Sequence, residues 1–287
     1  MFFAPIYRIY REYLRIFNVK SINVSTCDVG LNVIKPFEYC NNINKSFLNI
    51  IREFFKIDLE YSTDIYTCID LLGVFVVSEN EYIGNIFLSP KRIEEYAKKF
   101  NITYSVLYDF VKFHEEAHSL MSPELIFKQE KKYISKNFYI FFEEMLATLY
   151  TLHFAMKSEE KEKLKNFVSA QPIQYKIALQ FTEKNYREKV IRMMITWLLF
   201  KANRLPNTKN DLYYEYIDLD LKDKLIEIEK ICLFEDIKEL FNKKNYVKIS
   251  EVERKLNIGY NKAANILETL HNYGILSIDE IGNFIYE

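Results

Sequence analysis

His114, Glu115 and His118 stand in the run Phe113-His114-Glu115-Glu116-Ala117-His118-Ser119-Leu120, which contains the pattern His-Glu-x-x-His. On an α-helix four residues advance about 400° and about 6 Å, so the two imidazoles stack on one face and can share a zinc ion. Glu115 lies about 100° round from His114. There its carboxylate can take the proton of a water that attacks a carbonyl, while zinc brings that water's pKa towards about 7. The chemistry is metal-assisted hydrolysis. Two ligands and a base do not complete such a site, because catalytic zinc usually has three protein ligands and one open position. The alternative is a buried helix in which both histidines only pack and the glutamates form a solvated stripe.

A third ligand is available in Phe141-Phe142-Glu143-Glu144-Met145-Leu146-Ala147-Thr148-Leu149-Tyr150, a second helical run. Glu144 with Ala147 one turn later gives Glu-x-x-Ala, whose short side chain lets two helices approach closely. With His-Glu-x-x-His, this resembles the gluzincin metallopeptidases, and among them the small intracellular ImmA/IrrE-like group. The resemblance implies His114, His118 and Glu144 as zinc ligands and Glu115 as general base. Four residues after the ligand glutamate, thermolysin-like enzymes carry an aspartate that orients a zinc histidine. This chain has Thr148 there. Glu143, about 100° from Glu144, is read as lying behind the ligands or at the surface, and His153, about 900° on, faces the opposite way.

The 287 residues, 49% hydrophobic and 28% charged, suffice for one large domain and one small one, each with a core. A net charge of -1 means that any contact with nucleic acid must come from a local patch. Cys27, Cys40, Cys68 and Cys232 form no Cys-x-x-Cys pair, the usage of a reduced, cytoplasmic protein. Arg8, Arg11 and Arg15 interrupt every apolar stretch that a signal peptide would need, and no stretch approaches a transmembrane span.

Other elements must position the ligands. Apolar spacing predicts helices over residues 6–17 and 45–56, the first packing on its domain or lying on a membrane. A strand is expected over 57–61, then a hairpin from 72–77 and 82–88. In gluzincins the edge strand before the active-site helix pairs with substrate backbone, so by resemblance residues 84–88 are the candidate edge. A plain core hairpin is the alternative. Ser89 should cap a helix running to Phe100 with Pro90 in its first turn. The ligand helices should span 104–120, ended by Ser122-Pro123, and 135–157. Helices over 159–165, 173–181 and 186–201 read as structural support, and residues 206–230 as a linker holding a connecting helix.

From residue 231 the order changes to helix, short helix (250–256), turn (257–259), longer helix (260–272) and two strands around Gly282. That is the order of a winged helix-turn-helix, with Gly259 giving the turn its backbone freedom. The run Ile249-Ser250-Glu251-Val252-Glu253-Arg254-Lys255-Leu256-Asn257-Ile258-Gly259-Tyr260-Asn261-Lys262-Ala263-Ala264-Asn265 closely resembles the gamma domain of FtsK-type DNA translocases. Only this small domain does, since the chain has no phosphate-binding Gly-x-x-x-x-Gly-Lys loop. The resemblance implies Tyr260, Asn261, Lys262 and Asn265 facing the DNA groove, with Arg254 and Lys255 near phosphates. Where the family places arginines, the chain has Asn257, Lys262 and Asn265, which favours a more AT-rich target. Protein contact is the alternative, supported by acidic Asp279, Glu280 and Glu287.

The combined expectation is an α+β chain: a zincin-like metallopeptidase domain at 1–205, a linker at 206–230 and a winged helix at 231–287. Zn²⁺ is the expected cofactor, and double-stranded DNA and a protein substrate, such as a DNA-bound regulator, the expected partners. The rival is a non-catalytic DNA-binding regulator whose zinc site is structural or lost.

Overall fold

The computed structural model describes residues 23–26, 72–78, 83–127, 136–155, 159–181, 186–242 and 244–286. The helices expected over 6–17 and 45–56 and the strand over 57–61 lie outside these residues, as does Glu287. The first unit takes residues 1–133 and 139–218, and the second residues 134–138 and 219–287. Of the span 206–230, read as a linker, the part up to Asp218 therefore belongs to the first unit and the rest is helix of the second.

The first unit opens on β1 (Asn23–Thr26), β2 (Gly73–Ser78) and β3 (Ile83–Leu88), in the order β1-β3-β2. β2 and β3 form the expected antiparallel hairpin, pairing Gly73 with Leu88 and Ser78 with Ile83. β1 runs parallel to β3 on its other side, pairing Asn23 with Asn85 and Thr26 with Leu88. Residues 84–88 are therefore central, and the expectation that they form an edge is corrected. Four residues, Asn-Val-Ser-Thr, carry too short an alternation to announce the strand that covers them. Among the described residues the open edge of the hairpin is β2.

Helices α1 (Pro90–Phe100) and α2 (Tyr104–Leu120) follow, with α2 packed on β2 and β3. Pro90 starts α1 with Ser89 at its N-cap position, as expected, although the Ser89 hydroxyl makes no cap hydrogen bond. The start of α2 is held from elsewhere in the chain: the Glu160 carboxylate accepts from Thr103 N at 2.7 Å and from its hydroxyl at 3.0 Å. Leu107, Phe110, Val111, Ala117 and Leu120 on α2 are buried, so the histidine face is carried by a helix anchored in the core. α2 closes at Leu120 with Met121 as its cap, and Pro123 opens the short α3 (Pro123–Phe127) rather than ending α2.

α4 (Lys136–Ala155) is the second ligand helix. Phe141, Phe142, Met145, Leu146, Ala147 and Leu149 are each at most 1% exposed, which makes it a core helix on nearly every side. α5 (Lys161–Ser169), α6 (Ile173–Lys176) with a 3-10 turn to Phe181, and α7 (Tyr186–Lys201) follow, and the Trp197 ring of α7 lies 4.9 Å from that of Phe142 on α4. Phe167 on α5 joins Phe100 and Phe110 edge-on at 5.3 and 5.9 Å. The chain after α7 is fastened back to it, since Arg192 donates to Glu215 O and Asp218 N donates to the Thr196 hydroxyl.

In the second unit, α8 (Leu219–Cys232) and α9 (Phe234–Ile237), extended by a 3-10 turn to Asn242, precede β4 (Tyr246–Val247). The first helix expected after residue 231 thus passes to 3-10 geometry after one turn. Then come α10 (Ile249–Leu256), α11 (Tyr260–Asn272), β5 (Ser277–Ile278) and β6 (Phe284–Ile285). The strands form an antiparallel sheet ordered β4-β6-β5. Val252, Ala263, Ile266, Leu267, Leu270 and Phe284 fill the core beneath the helix pair and its wing.

Candidate metal centre and candidate nucleic-acid surface

α2 and α4 bring His114, His118 and Glu144 together as a group able to hold a metal ion. His114 Nε2 lies 3.2 Å from His118 Nε2 and 3.0 Å from Glu144 Oε2, and His118 Nε2 is 3.4 Å from that oxygen. Ligand bonds of about 2.0 to 2.2 Å in a tetrahedron put donor atoms about 3.3 Å apart. Two imidazole nitrogens and one carboxylate oxygen at this spacing fit a zinc ion, by donor type as well as by geometry.

Glu115, 7% exposed, lies under β2. The Phe75 N–H donates to its carboxylate. A Cβ on Gly73 would stand 2.9 Å from Glu115 Cγ and Oε1, so the strand can approach this closely only because residue 73 lacks a side chain. Burial raises the Glu115 carboxyl's pKa above its usual value, with His114 and His118 partly offsetting the rise. A carboxyl moved that way, beside three convergent donors, is suited to accept and return a proton.

Burial favours the neutral ring of His118, but Glu144, Glu143 and Glu115 outweigh it and raise its pKa well above 6.5. Burial also opposes ionisation of Glu144, yet His118 and His114 hold that carboxyl far below the usual carboxylate range. Glu143, 6% exposed, also points inward. Its Oε2 accepts from Lys201 Nζ at 2.6 Å and from Trp197 Nε1 at 2.9 Å, and its Oε1 stands 3.5 Å from His118 Nδ1. Of the two places expected for Glu143, the surface is excluded. His153 is apart from the group, buried and donating through Nε2 to Phe181 O at 2.9 Å.

Lys201 and Trp197 lie on the helix over 186–201, which by sequence read only as structural support. The ring of half-buried Tyr175 lies 5.7 Å from that of His114, tilted by 34°. Nothing in its local sequence marks it. Lys201 ends the apolar run Met-Met-Ile-Thr-Trp-Leu-Leu-Phe-Lys and is fully buried in the structure.

In the second unit, Tyr260, Asn261, Lys262 and Asn265 are all exposed on α11, with Tyr260 at 53%. Arg254 and Lys255 are exposed on α10, where Arg254 Nε donates to Ser250 O and Lys255 is ion-paired with Glu239. A phosphate at Lys255 would have to displace that carboxylate. Gly259 does not supply the turn's freedom as expected: its φ is -71°, a value open to any residue. Asn257 takes the left-handed conformation instead, at φ 52°, which asparagine tolerates. The wing turn is acidic, with Asp279 accepting from Ile281 N and Asn283 N.

The family model of the Ftsk gamma domain matches residues 230–281. This match points to a DNA-binding module and agrees with the helix pair and hairpin of the second unit. Compared with the curated proteins and with the solved structures, the chain matches none. No helix among the described residues is long and apolar enough to cross a membrane.

Proposed function

We propose that the chain is a zinc-dependent metallopeptidase of the ImmA/IrrE-like kind, carried to DNA by its second unit. The observation that carries this reading is the convergence of His114, His118 and Glu144 at donor spacings of 3.0 to 3.4 Å, with Glu115 beside them. Zinc held by these residues supplies Lewis-acid chemistry, polarising an amide carbonyl and acidifying a water. Glu115 accepts the proton of the attacking water and returns it to the departing amine. The edge of β2, open among the described residues and next to Glu115, suits an extended peptide adding as a further strand. Incubation with a degenerate peptide mixture, read by mass spectrometry, tests the activity. Cleavage that a chelator stops and zinc restores is expected, and chelator-resistant cleavage would refute the metal's role.

Two further outcomes follow from the site. Gly73→Ala forces the Glu115 carboxylate aside, so hydrolysis should fall about 100-fold at unchanged zinc content, the cost of roughly 1 Å of misplacement. Full activity in that variant would remove Glu115 from the proton path. Zinc uptake near pH 7 should release protons, because the neighbouring carboxylates favour the charged form of His118 in the metal-free protein and a ligating ring must be neutral. The sign follows from the raised pKa. Below pH 6.5 the paired, charged His118 stabilises the metal-free fold, and this is lost as pH rises through the elevated value. Apparent zinc affinity therefore rises with pH over the same interval. Calorimetry in two buffers of different ionisation enthalpy reads the proton directly, and buffer-independent heats would contradict a charged His118.

For the second unit the proposed partner is double-stranded DNA, entered by α11. Tyr260, Asn261, Lys262 and Asn265 face base edges, and Arg254 and Lys255 the phosphates. Selection from a random duplex library with the full chain should enrich a motif. Lys262→Ala and Asn265→Ala should change that motif, whereas Lys255→Ala weakens all sequences alike. A folded protein with no enrichment at low salt would instead favour protein contact through this surface. The DNA unit would place the peptidase beside a protein bound to the same duplex, raising its local concentration to roughly millimolar. Equal cleavage rates with both sites on one duplex and on separate duplexes would exclude such a tether. The rival reading, a DNA-binding regulator without hydrolysis, is favoured by the family match, which covers only the DNA-binding part.

A further inference from the structure

We infer that Glu143, held by Lys201 and Trp197, is the positioning residue that fixes the ring of His118 for metal binding; this rests on the zinc-site reading above. A histidine ligates through one ring nitrogen, and the partner of the other decides its tautomer and its rotation. For His118 the two nitrogens are divided cleanly. Nε2 faces His114 and Glu144 at 3.2 and 3.4 Å, whereas Nδ1 faces Glu143 Oε1 at 3.5 Å. A hydrogen on Nδ1 directed at that carboxylate leaves the Nε2 lone pair directed at the site.

The position four residues after Glu144 does not supply such a carboxylate, because it is Thr148. Thr148 is 1% exposed, and its hydroxyl has no hydrogen-bond partner among the described residues. Consecutive glutamates on α4 do the work instead, about 100° apart, one on each side of the same imidazole. Glu143 is itself immobilised. Lys201 Nζ and Trp197 Nε1 donate to Oε2 at 2.6 and 2.9 Å, and the Tyr139 hydroxyl donates to Oε1 at 3.3 Å. Lys201 is fully buried, lying over the rings of Tyr139 and Trp197 at 4.9 and 5.6 Å. A lysine is almost never buried unless paired, and Glu143 is its ion-pair partner here. The lysine charge keeps Glu143 an acceptor, and the acceptor holds His118.

Glu143→Gln alone removes the ion-pair partner of a buried lysine and can fail to fold. The informative protein is the full-length double variant Glu143→Gln/Lys201→Met, which removes both charges together. Zinc affinity is measured by chelator competition, alongside thermal unfolding and the visible spectrum of the cobalt-loaded protein. A folded double variant that binds zinc about 10- to 100-fold more weakly, with an altered cobalt spectrum, is the expected result. Lys201→Met, which keeps the carboxylate but removes the charge that holds it, should weaken zinc binding by no more than the double variant does. Wild-type affinity and an unchanged cobalt spectrum in the folded double variant would overturn the inference. So would a loss in Lys201→Met larger than in the double variant. In both cases the zinc site itself stands. A wild-type chain that takes up no zinc would overturn the site reading and this inference with it.

Discussion

Glu115→Gln is expected to keep its metal and lose about three orders of magnitude in peptide hydrolysis. Glutamine has the same size and can still accept the Phe75 N–H, so the packing beneath Gly73 is preserved. What disappears is the proton acceptor, and general-base contributions run at about 10² to 10⁴-fold. Metal content should not change, since Glu115 is not one of the three convergent donors. The same residue governs pH dependence. Hydrolysis needs its ionised form, and burial raises its pKa above 4.5, so the rate should fall as pH drops through that raised value. Parallel zinc and rate measurements on the variant decide the matter. Hydrolysis within ten-fold of wild type, with zinc retained, would mean that another group takes the proton.

Much of the site was legible because its spacing is local. His114 and His118 are four apart on a helix whose ends at Tyr104 and Leu120 match the apolar pattern, and Glu144 lies on the next long helix. Periodicity also carried α10 and α11 of the second unit. What escaped notice depends on pairing between distant residues. β1 has four residues, and only its contact with β3 turns the latter from edge to centre. Lys201 ends a helix, where a lysine normally meets solvent and complements the helix dipole, so nothing local marks it as the partner of a carboxylate 58 residues earlier. Gly259 misled for a related reason. Glycine reads as the flexible residue of a turn, yet Asn257, two positions before it, adopted the left-handed conformation.

Purified full-length protein should contain about one zinc per chain by elemental analysis, since three converging ligands suffice for a catalytic site. Glu144→Ala removes one of the three donors, the carboxylate that faces Nε2 of both His114 and His118. Its affinity should fall by far more than the 10- to 100-fold typical of residues behind the ligands. Glu115→Gln, assayed beside it, should remain fully loaded and separates loss of metal from loss of chemistry. Wild-type protein with zinc near one equivalent, and Glu144→Ala stripped by a chelator that leaves the wild type loaded, is the predicted outcome. A wild type that stays empty when zinc is supplied, or a Glu144→Ala protein that holds zinc as tightly as the wild type, would contradict it.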